Sequence, residues 1–555
     1  MNTAMTEASK KSLSGMRILI IPGIYFPGVG FSFDHCHDFR LTVDGVLMTL
    51  PNLKTYFTNG RSFGNTKVKS TDPVADVFQQ VYFSGIYLYN LLTRKGFDAE
   101  ILNCYTSGKK ESENKIRENF DVIVVSTTFT WCPQVKLLLQ ELKKANPRAK
   151  IIIGGRWVYD SYRIWERRKE IELEEGSSEV LERYFFTGGY SWKDVDLFIV
   201  NQHGERALIK ALSDIQSGAD FRDNPNCAYW NDKGDVVFTR ASEEQYDVEN
   251  LTIDWEKLPE KYHSSVMPLV AGIGCPFRCK FCDYNISKLY HKPFDLLRKE
   301  LRQMNDCRFL QTAWFIDDNF LFNAKRIREF CNMWQEESFR LSWYGIVRLD
   351  SLQDDTVAIM QKIGLKMVML GVESGSPKIL ANMNKKAAID QYKKGFELLA
   401  AHGIRAKILL VIGFPGENDE TISETIDFIN SLPGMPEIGH EIFLSPFCLL
   451  PLAPVASEAE RGKYNLRGFL FSWSHSTMGA ADTYDAMKRI FLETKGVFQY
   501  YSDNNRFESE SPEVRSRFTQ VAVARENLTK AIVGGRSRED VDLLWGILET
   551  LVMKC

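Results

Sequence analysis

The chain reads as α/β: two successive parallel-sheet units, then a helical tail. Three observations predict this. Short apolar runs alternate with amphipathic stretches over residues 17–210, and a second series of the same kind starts at His263. Between the two, residues 211–262 are mixed and turn-rich. Such alternation is what open parallel sheets need, because each parallel crossover requires a connection about as long as a helix.

Composition sets the limits. At 555 residues the chain is long for one domain, and 44% hydrophobic residues with 12% aromatic support ordinary packed cores. A net charge of −3 gives no electrostatic case for nucleic acid or an anionic membrane. The eleven cysteines include eight scattered ones, Cys36, Cys104, Cys132, Cys227, Cys307, Cys331, Cys448 and Cys555, which is the usage of a reducing compartment. Residues 1–16 form a polar tail without the apolar segment of a signal peptide. The longest apolar candidate, 442–456, is broken by Pro446, Pro451 and Pro454, so no membrane span is expected. The expectation is a cytoplasmic protein.

In the first unit (17–210), Arg17–Ile21 is a continuous apolar run stopped by Pro22-Gly23, as a strand buried on both faces reads. A helix is expected from Gly85 to Leu92, then strands at 99–102, 121–126, 150–155 and 196–200, with a helix over 135–144. Ligands of such sheets bind at the carboxyl ends of the strands. There the sequence offers Ser126-Thr127-Thr128, Gly154-Gly155-Arg156 and Asn201-Gln202-His203-Gly204-Glu205. The segment from Ile24 to Val81 exceeds ordinary connection lengths and is a candidate lid. Within it, Asp34-His35-Cys36-His37-Asp38 can be read as a metal site, although adjacent residues on one loop seldom converge on a single ion. Residues 211–262 read as a linker with a small ribbon, turned at Asn231-Asp232-Lys233-Gly234.

The second unit (263–460) offers strands at 266–270, 312–319, 341–348, 366–375, 407–417 and 441–445, six in all. Polar residues again gather at strand ends: Asp317-Asp318, Arg348, Glu373-Ser374 and Gly413 to Glu417. The tail (461–555) is helical in texture. Its His475, between hydroxyls and Trp473, either touches substrate or belongs to a helix cap through Ser476 or Thr477.

The strongest motif follows the first strand of this unit: Gly274-Cys275-Pro276-Phe277-Arg278-Cys279-Lys280-Phe281-Cys282. Three thiolates so close in one loop can wrap one face of an iron–sulfur cube. A 4Fe–4S cluster usually takes four cysteines, so three leave one iron open to a small chelating molecule. The competing reading, a zinc knuckle, pairs C-x2-C with a second pair or with histidines, and only His291 follows closely.

This C-x3-C-x2-C spacing, with an aromatic before the last cysteine, resembles the radical S-adenosylmethionine (SAM) superfamily. The resemblance implies a partial (β/α)6 barrel whose 4Fe–4S cluster, held by Cys275, Cys279 and Cys282, cleaves SAM to a 5′-deoxyadenosyl radical. It implies SAM contacts at Asp317 and Asp318 (amino group), at Arg348, Glu373 and Ser374 (carboxylate and ribose), and at Phe281, Ile412, Gly413 and Gly416 (adenine). The first unit, placed before such a motif, resembles a Rossmann-like cobalamin-binding domain. That implies cobalamin contacts at Ser126, Thr127, Thr128, Gly154, Gly155, Gly204 and Glu205. The D-x-H-x-x-G motif of many cobalamin domains is absent, so no protein histidine is expected on cobalt.

Together these features resemble the cobalamin-dependent radical SAM methyltransferases. The resemblance implies methyl transfer from SAM, by way of methylcobalamin, to an unactivated centre of a small-molecule natural-product precursor. The chain also resembles the group that methylates phosphinate phosphorus in antibiotic biosynthesis; carbon is the other acceptor. Arg156, Arg348 and Lys407 are available as phosphinate donors. The alternative is a cobalamin-binding radical enzyme that rearranges or cyclises its substrate without methyl transfer. Methylthiotransferases use three further cluster cysteines, a pattern that Cys36, Cys104 and Cys132 do not match. An external electron donor such as flavodoxin or ferredoxin is implied. No side chain is assigned a catalytic role.

Overall fold

The structure, a computed structural model, describes residues 15–26, 41–43, 46–48, 81–128, 132–244, 248–284, 289–435, 437–498 and 512–553. Most of the long first loop, including its His35-Cys36-His37 run, lies outside the described residues. The chain packs as two units that divide between Tyr262 and His263, with the hairpin strands Leu41–Val43 and Val46–Met48 grouped with the second.

The first unit holds strands β1 (Arg17–Ile21), β2 (Asp98–Ile101), β3 (Val122–Ser126), β4 (Lys150–Gly154) and β5 (Leu197–Ile199). They lie parallel in the order 2-1-3-4-5. The period-2 alternation of each apolar run serves two cores. Leu19, Ile21, Ile123, Val125, Ile151 and Ile153 pack with Val135, Leu138 and Leu142 of helix α2 (Cys132–Ala145) and Val158 of α3 (Arg156–Ile171). Ile18, Ile20, Val122, Val124 and Ile152 pack on the other face with Leu92 of α1 (Phe83–Arg94) and Leu208, Ala211 and Leu212 of α4 (Glu205–Ser217). A sheet covered on both faces explains why its strands read as unbroken apolar runs.

Two antiparallel strands, β6 (Cys227–Trp230) and β7 (Val236–Phe238), extend this sheet beyond β5. This corrects the linker expectation for residues 211–262. The turn at Asn231–Gly234 forms the hairpin, but its apolar strand residues, Ala228 for one, complete the core of the first unit.

In the second unit, β8 (Val266–Leu269), β9 (Thr312–Phe315), β10 (Ser342–Ile346), β11 (Leu365–Glu373), β12 (Arg405–Ile412) and β13 (Glu441–Pro446) pair in chain order, all parallel. A seventh strand, β14 (Val497–Phe498), adds to β13 from within the tail. The tail is thus part of the second unit. It includes a three-stranded ribbon (Arg467–Phe469, Ser472–His475, Met478–Gly479) besides its helices, among them α5 (Ala480–Glu493).

Candidate active site

The three cysteines sit on a loop whose base is closed by a two-residue ribbon, Gly272–Ile273 against Tyr290–His291. A side chain at Gly272 would stand 2.8 Å from both His291 Nδ1 and the Tyr290 carbonyl, so only glycine fits. Gly274 then turns the chain at φ +86°, the left-handed region.

Asp317 and Asp318, at the end of β9, hold the entrance to this loop. The Ala271 amide donates to both oxygens of Asp317, each at 3.0 Å, and the Gly274 amide donates to Asp318 Oδ2 at 2.8 Å. Asp317 is buried, and burial pushes its carboxyl up to about 7 against the pull of the Ala271 amide, Lys292 and Arg326. In this structure the Asp317 carboxylate is taken up by backbone rather than held open for an amino group.

Other elements hold the loop farther along. The Lys280 amide donates to the Met383 carbonyl at 2.8 Å and Asn384 Nδ2 to the Arg278 carbonyl at 2.8 Å. The Val455 amide reaches the Lys280 carbonyl at 3.0 Å, and Lys280 Nζ lies 2.6 Å from Glu460. The Arg348 guanidinium lies 3.8 Å over the Phe277 ring and is engaged by both oxygens of Asp350, at 2.8 and 2.6 Å. These contacts tie it to the cysteine loop on one side and to Asp350 on the other. Phe281 is half-buried inside the turn in which the Cys282 amide donates to the Cys279 carbonyl.

Burial raises the Cys279 thiol and pushes Cys282 up to about 12. Ionising these thiols as iron ligands therefore needs the positive charge of the metal itself. Among the described residues, no three His, Cys, Asp or Glu side chains converge to hold a single ion. Three cysteines on one anchored loop suit a 4Fe–4S cluster with one iron left open.

Beside Cys279 stands a group that the sequence only partly showed. Glu373 ends β11 at φ +67°, and the ladder to β12 shifts register between Gly371 and Glu373. A left-handed non-glycine residue costs about 1–2 kcal/mol, so the fold imposes this orientation on it. Its Oε1 accepts from Lys385 Nζ at 2.8 Å, with both side chains about a tenth exposed (10% and 12%). A side chain at Gly371 would lie 2.5 Å from Glu373 Oε1 and 3.0 Å from Lys385 Nζ. Tyr392, also close to Lys385 and Glu373, is buried, and its hydroxyl has no hydrogen-bond partner among the described residues. Ser374 is turned away: its hydroxyl accepts from the Ser376 amide at 3.1 Å and lies 3.3 Å from that of Thr425.

The loop after β12 is held by the tail. Gly413 (φ +94°) and Gly416 (φ +98°) are left-handed, and Ile412 is buried. A side chain at Gly413 would meet Thr483 Oγ1 at 2.5 Å and Trp473 at 2.8 Å. His475 Nε2 lies 3.2 Å from the Gly413 carbonyl, while its Nδ1 accepts from the Thr477 amide at 3.3 Å. Its ring stacks on Trp473 with centroids 5.3 Å apart. The helix-cap expectation for Ser476 or Thr477 is therefore corrected: α5 starts after Gly479, and His475 links the tail ribbon to the β12 loop. The Gly413 amide donates to Glu417, which is fully buried and pushed up to about 8. At neutral pH its carboxyl therefore carries its proton.

In the first unit, strand order reverses between β1 and β3, and the ends of β3 and β4 lie side by side next to that point. Thr127 donates through both its amide and Oγ1 to the Gly154 carbonyl, each at 2.8 Å. Ser126 Oγ lies 3.3 Å from Thr128 Oγ1. Gly155 has φ +100° and would carry a side chain 2.8 Å from the Thr127 amide, and α3 begins at the next residue. At the end of β5, Gly204 packs on Ile199, and Glu205 accepts from the Tyr87 hydroxyl at 2.7 Å. The structure thus brings Ser126, Thr127, Thr128, Gly154 and Gly155 together; Gly204 and Glu205 stand one strand farther along. Small hydroxyls and glycines beside a helix start suit a large, largely neutral ligand with a phosphate-bearing tail.

Residues 269–429 match the model of the radical SAM superfamily. This part of the chain is a radical SAM domain. The cluster loop, Glu373 and the β12 loop all lie inside it, and its C-terminal brace, His475, lies outside. The chain is 27% identical over 338 residues to the anaerobic magnesium-protoporphyrin IX monomethyl ester cyclase of Rubrivivax gelatinosus, an alignment covering 57% of this chain and 56% of that one. It is 29% identical over 182 residues to the bacteriochlorophyllide d C-12(1)-methyltransferase of Chlorobaculum tepidum, covering 30% and 38%. The chain thus spans about half the length, or less, of these curated relatives. Its fold is similar to that of the radical SAM methyltransferase TsrM of Kitasatospora setae, solved with cobalamin and a 4Fe–4S cluster bound: TM-score 0.55, 12% identity, 85% of this chain and 97% of that one. It is also similar to the cobalamin-dependent radical enzyme OxsB with aqua-cobalamin bound: TM-score 0.58, 14% identity, 98% and 76%.

Proposed function

We propose that the protein is a cobalamin-dependent radical SAM methyltransferase acting on a small-molecule precursor. The observation that carries this reading is the presence, in one chain, of a 2-1-3-4-5 sheet with glycine and hydroxyl strand ends and a radical SAM domain with a three-cysteine loop. The fold likeness to TsrM and OxsB, which hold cobalamin, supports it.

The bound groups supply the chemistry: the cluster an electron, SAM the radical and the methyl, and cobalamin a methyl carrier. The protein's residues position and shield. Cys275, Cys279 and Cys282 hold the cluster and leave one iron open. Glu373, Lys385 and the Tyr392 hydroxyl offer charge and a donor to the amino-acid end of SAM. The left-handed Gly413–Gly416 loop and Phe281 offer backbone to its adenosyl end, with Glu417 neutral beneath. Ser126 to Thr128, Gly154, Gly155 and Gly204 form the shelf for cobalamin. An external one-electron donor, flavodoxin or ferredoxin, completes the reaction.

The finer reading is that the acceptor is a phosphinate P–H centre. It rests on the sequence resemblance; Arg156 and Arg348 are each paired with an aspartate, Asp160 and Asp350. A second reading, cyclisation without methyl transfer, is favoured by the similarity to the cyclase of Rubrivivax gelatinosus. One experiment separates them. Anaerobically reconstituted protein is incubated with methyl-deuterated SAM, reductant, cobalamin and candidate acceptors, including a P–H phosphinate. Labelled methyl on the phosphinate supports both levels of the proposal, and labelled methyl on carbon supports only the coarser one. 5′-Deoxyadenosine with no labelled product favours the cyclase reading.

A further inference from the structure

Asn319 follows the two aspartates that clamp the cluster loop, and it is 6% exposed. Its Nδ2 lies 3.7 Å from Cys275 Sγ, within reach of an N–H···S hydrogen bond, and its Oδ1 is buried without a partner among the described residues. The chemistry fixes which end of the amide faces the sulfur. An iron-bound thiolate only accepts, so the NH2 group points at it. The reverse orientation would press oxygen lone pairs against sulfur. A buried amide that leaves its own oxygen unsatisfied in order to face one thiol is costly for stability, which marks it as placed for function. Its neighbours fix it there, because Asp317 and Asp318 tie the same segment to the amides of Ala271 and Gly274.

We propose that Asn319 is a positioning residue that tunes the cluster: its N–H···S bond to Cys275 raises the reduction potential. The proposal rests on the cluster reading of Cys275, Cys279 and Cys282. Hydrogen bonds to ligand sulfurs withdraw charge and favour the reduced, more negative cluster. Asparagine supplies that donor at a place where a third aspartate would oppose reduction.

The test is an EPR-monitored redox titration of full-length, anaerobically reconstituted wild type, Asn319→Leu and Asn319→Asp, with iron and sulfide content as the loading control. Leu removes the donor at similar volume, and Asp keeps the shape but adds charge. The expected midpoints fall in the order wild type, Leu, Asp, with a smaller reduced fraction of each variant at a fixed dithionite concentration. Loaded variants that titrate at the wild-type potential overturn the proposal. So does failure of both variants to load, which would make Asn319 a folding residue only. A wild-type protein that assembles no 4Fe–4S signal overturns the cluster reading instead, and this proposal with it.

Discussion

The two parallel sheets present opposite kinds of strand ends. In the first unit they end in Ser126, Thr127, Gly154 and Gly155, whose polar atoms bond one another and nearby backbone, while the charged Arg156 and Glu205 beside them are engaged by Asp160 and the Tyr87 hydroxyl. In the second they end in Asp317, Asp318, Arg348 and Glu373. Each is charged in isolation and held by a specific partner: the amides of Ala271 and Gly274, Asp350 and Lys385. A neutral shelf recognises shape and suits a bulky ligand. A site of paired charges recognises ions, because a zwitterion or cluster can exchange partners with groups already desolvated. Shared topology therefore does not imply shared chemistry.

Breaking one side at a time tests that contrast. The largest effect is expected from Cys279→Ala: cluster iron and 5′-deoxyadenosine formation fall to background while cobalamin retention is unchanged. Loss of both in this variant would mean that the two sites are not separate. Next is Glu373→Gln, which strands the buried Lys385 charge. It is expected to cost about 3 kcal/mol in thermal stability and to weaken SAM binding in equilibrium titration. A variant as stable as wild type would show that Lys385 finds another partner.

Glu417 sharpens the comparison through pH. Its folded carboxyl titrates near 8, above the unfolded value of 4.5. Its contribution is therefore complete below pH 4.5 and is lost as pH rises through 8. Against wild type, Glu417→Gln is expected to gain about 2 kcal/mol of relative stability between pH 5.5 and 7, read from paired thermal melts. A flat difference would place the ionisation elsewhere. His440, lowered to about 4 by burial, pulls the other way, losing its contribution as pH falls below 6.5. The most local effect is expected from Gly155→Ala, about 1–3 kcal/mol from a backbone conformation (φ +100°, ψ −177°) that is essentially glycine's own, with weaker cobalamin retention and normal cluster content. Unchanged retention would remove Gly155 from the shelf.

What was legible in the sequence was what depends on local pattern. Apolar runs located the parallel strands within a few residues because both faces of each are buried. The cysteine spacing located the cluster loop because its chemistry is carried by consecutive residues. Long-range geometry was hidden. Whether Asp317 faces a ligand or a backbone amide depends on where Ala271 lies. Lys385 and Tyr392 lie 12 and 19 residues after Glu373 and belong to no motif, so nothing in the sequence pattern pairs them with it. Asn319 gave no signal beyond following two acids. Strand β14 is two residues long, below any periodicity, and the ribbon at 227–238 declared its turn but not the sheet it joins.

At the foot of the cysteine loop, Gly272–Ile273 and Tyr290–His291 hold the two ends of the loop together by backbone pairing, and Asp318, Met383 and Val455 fix points along it. None of these ties uses a cysteine side chain, so all three thiols are left to the cluster while other residues set the course of the loop.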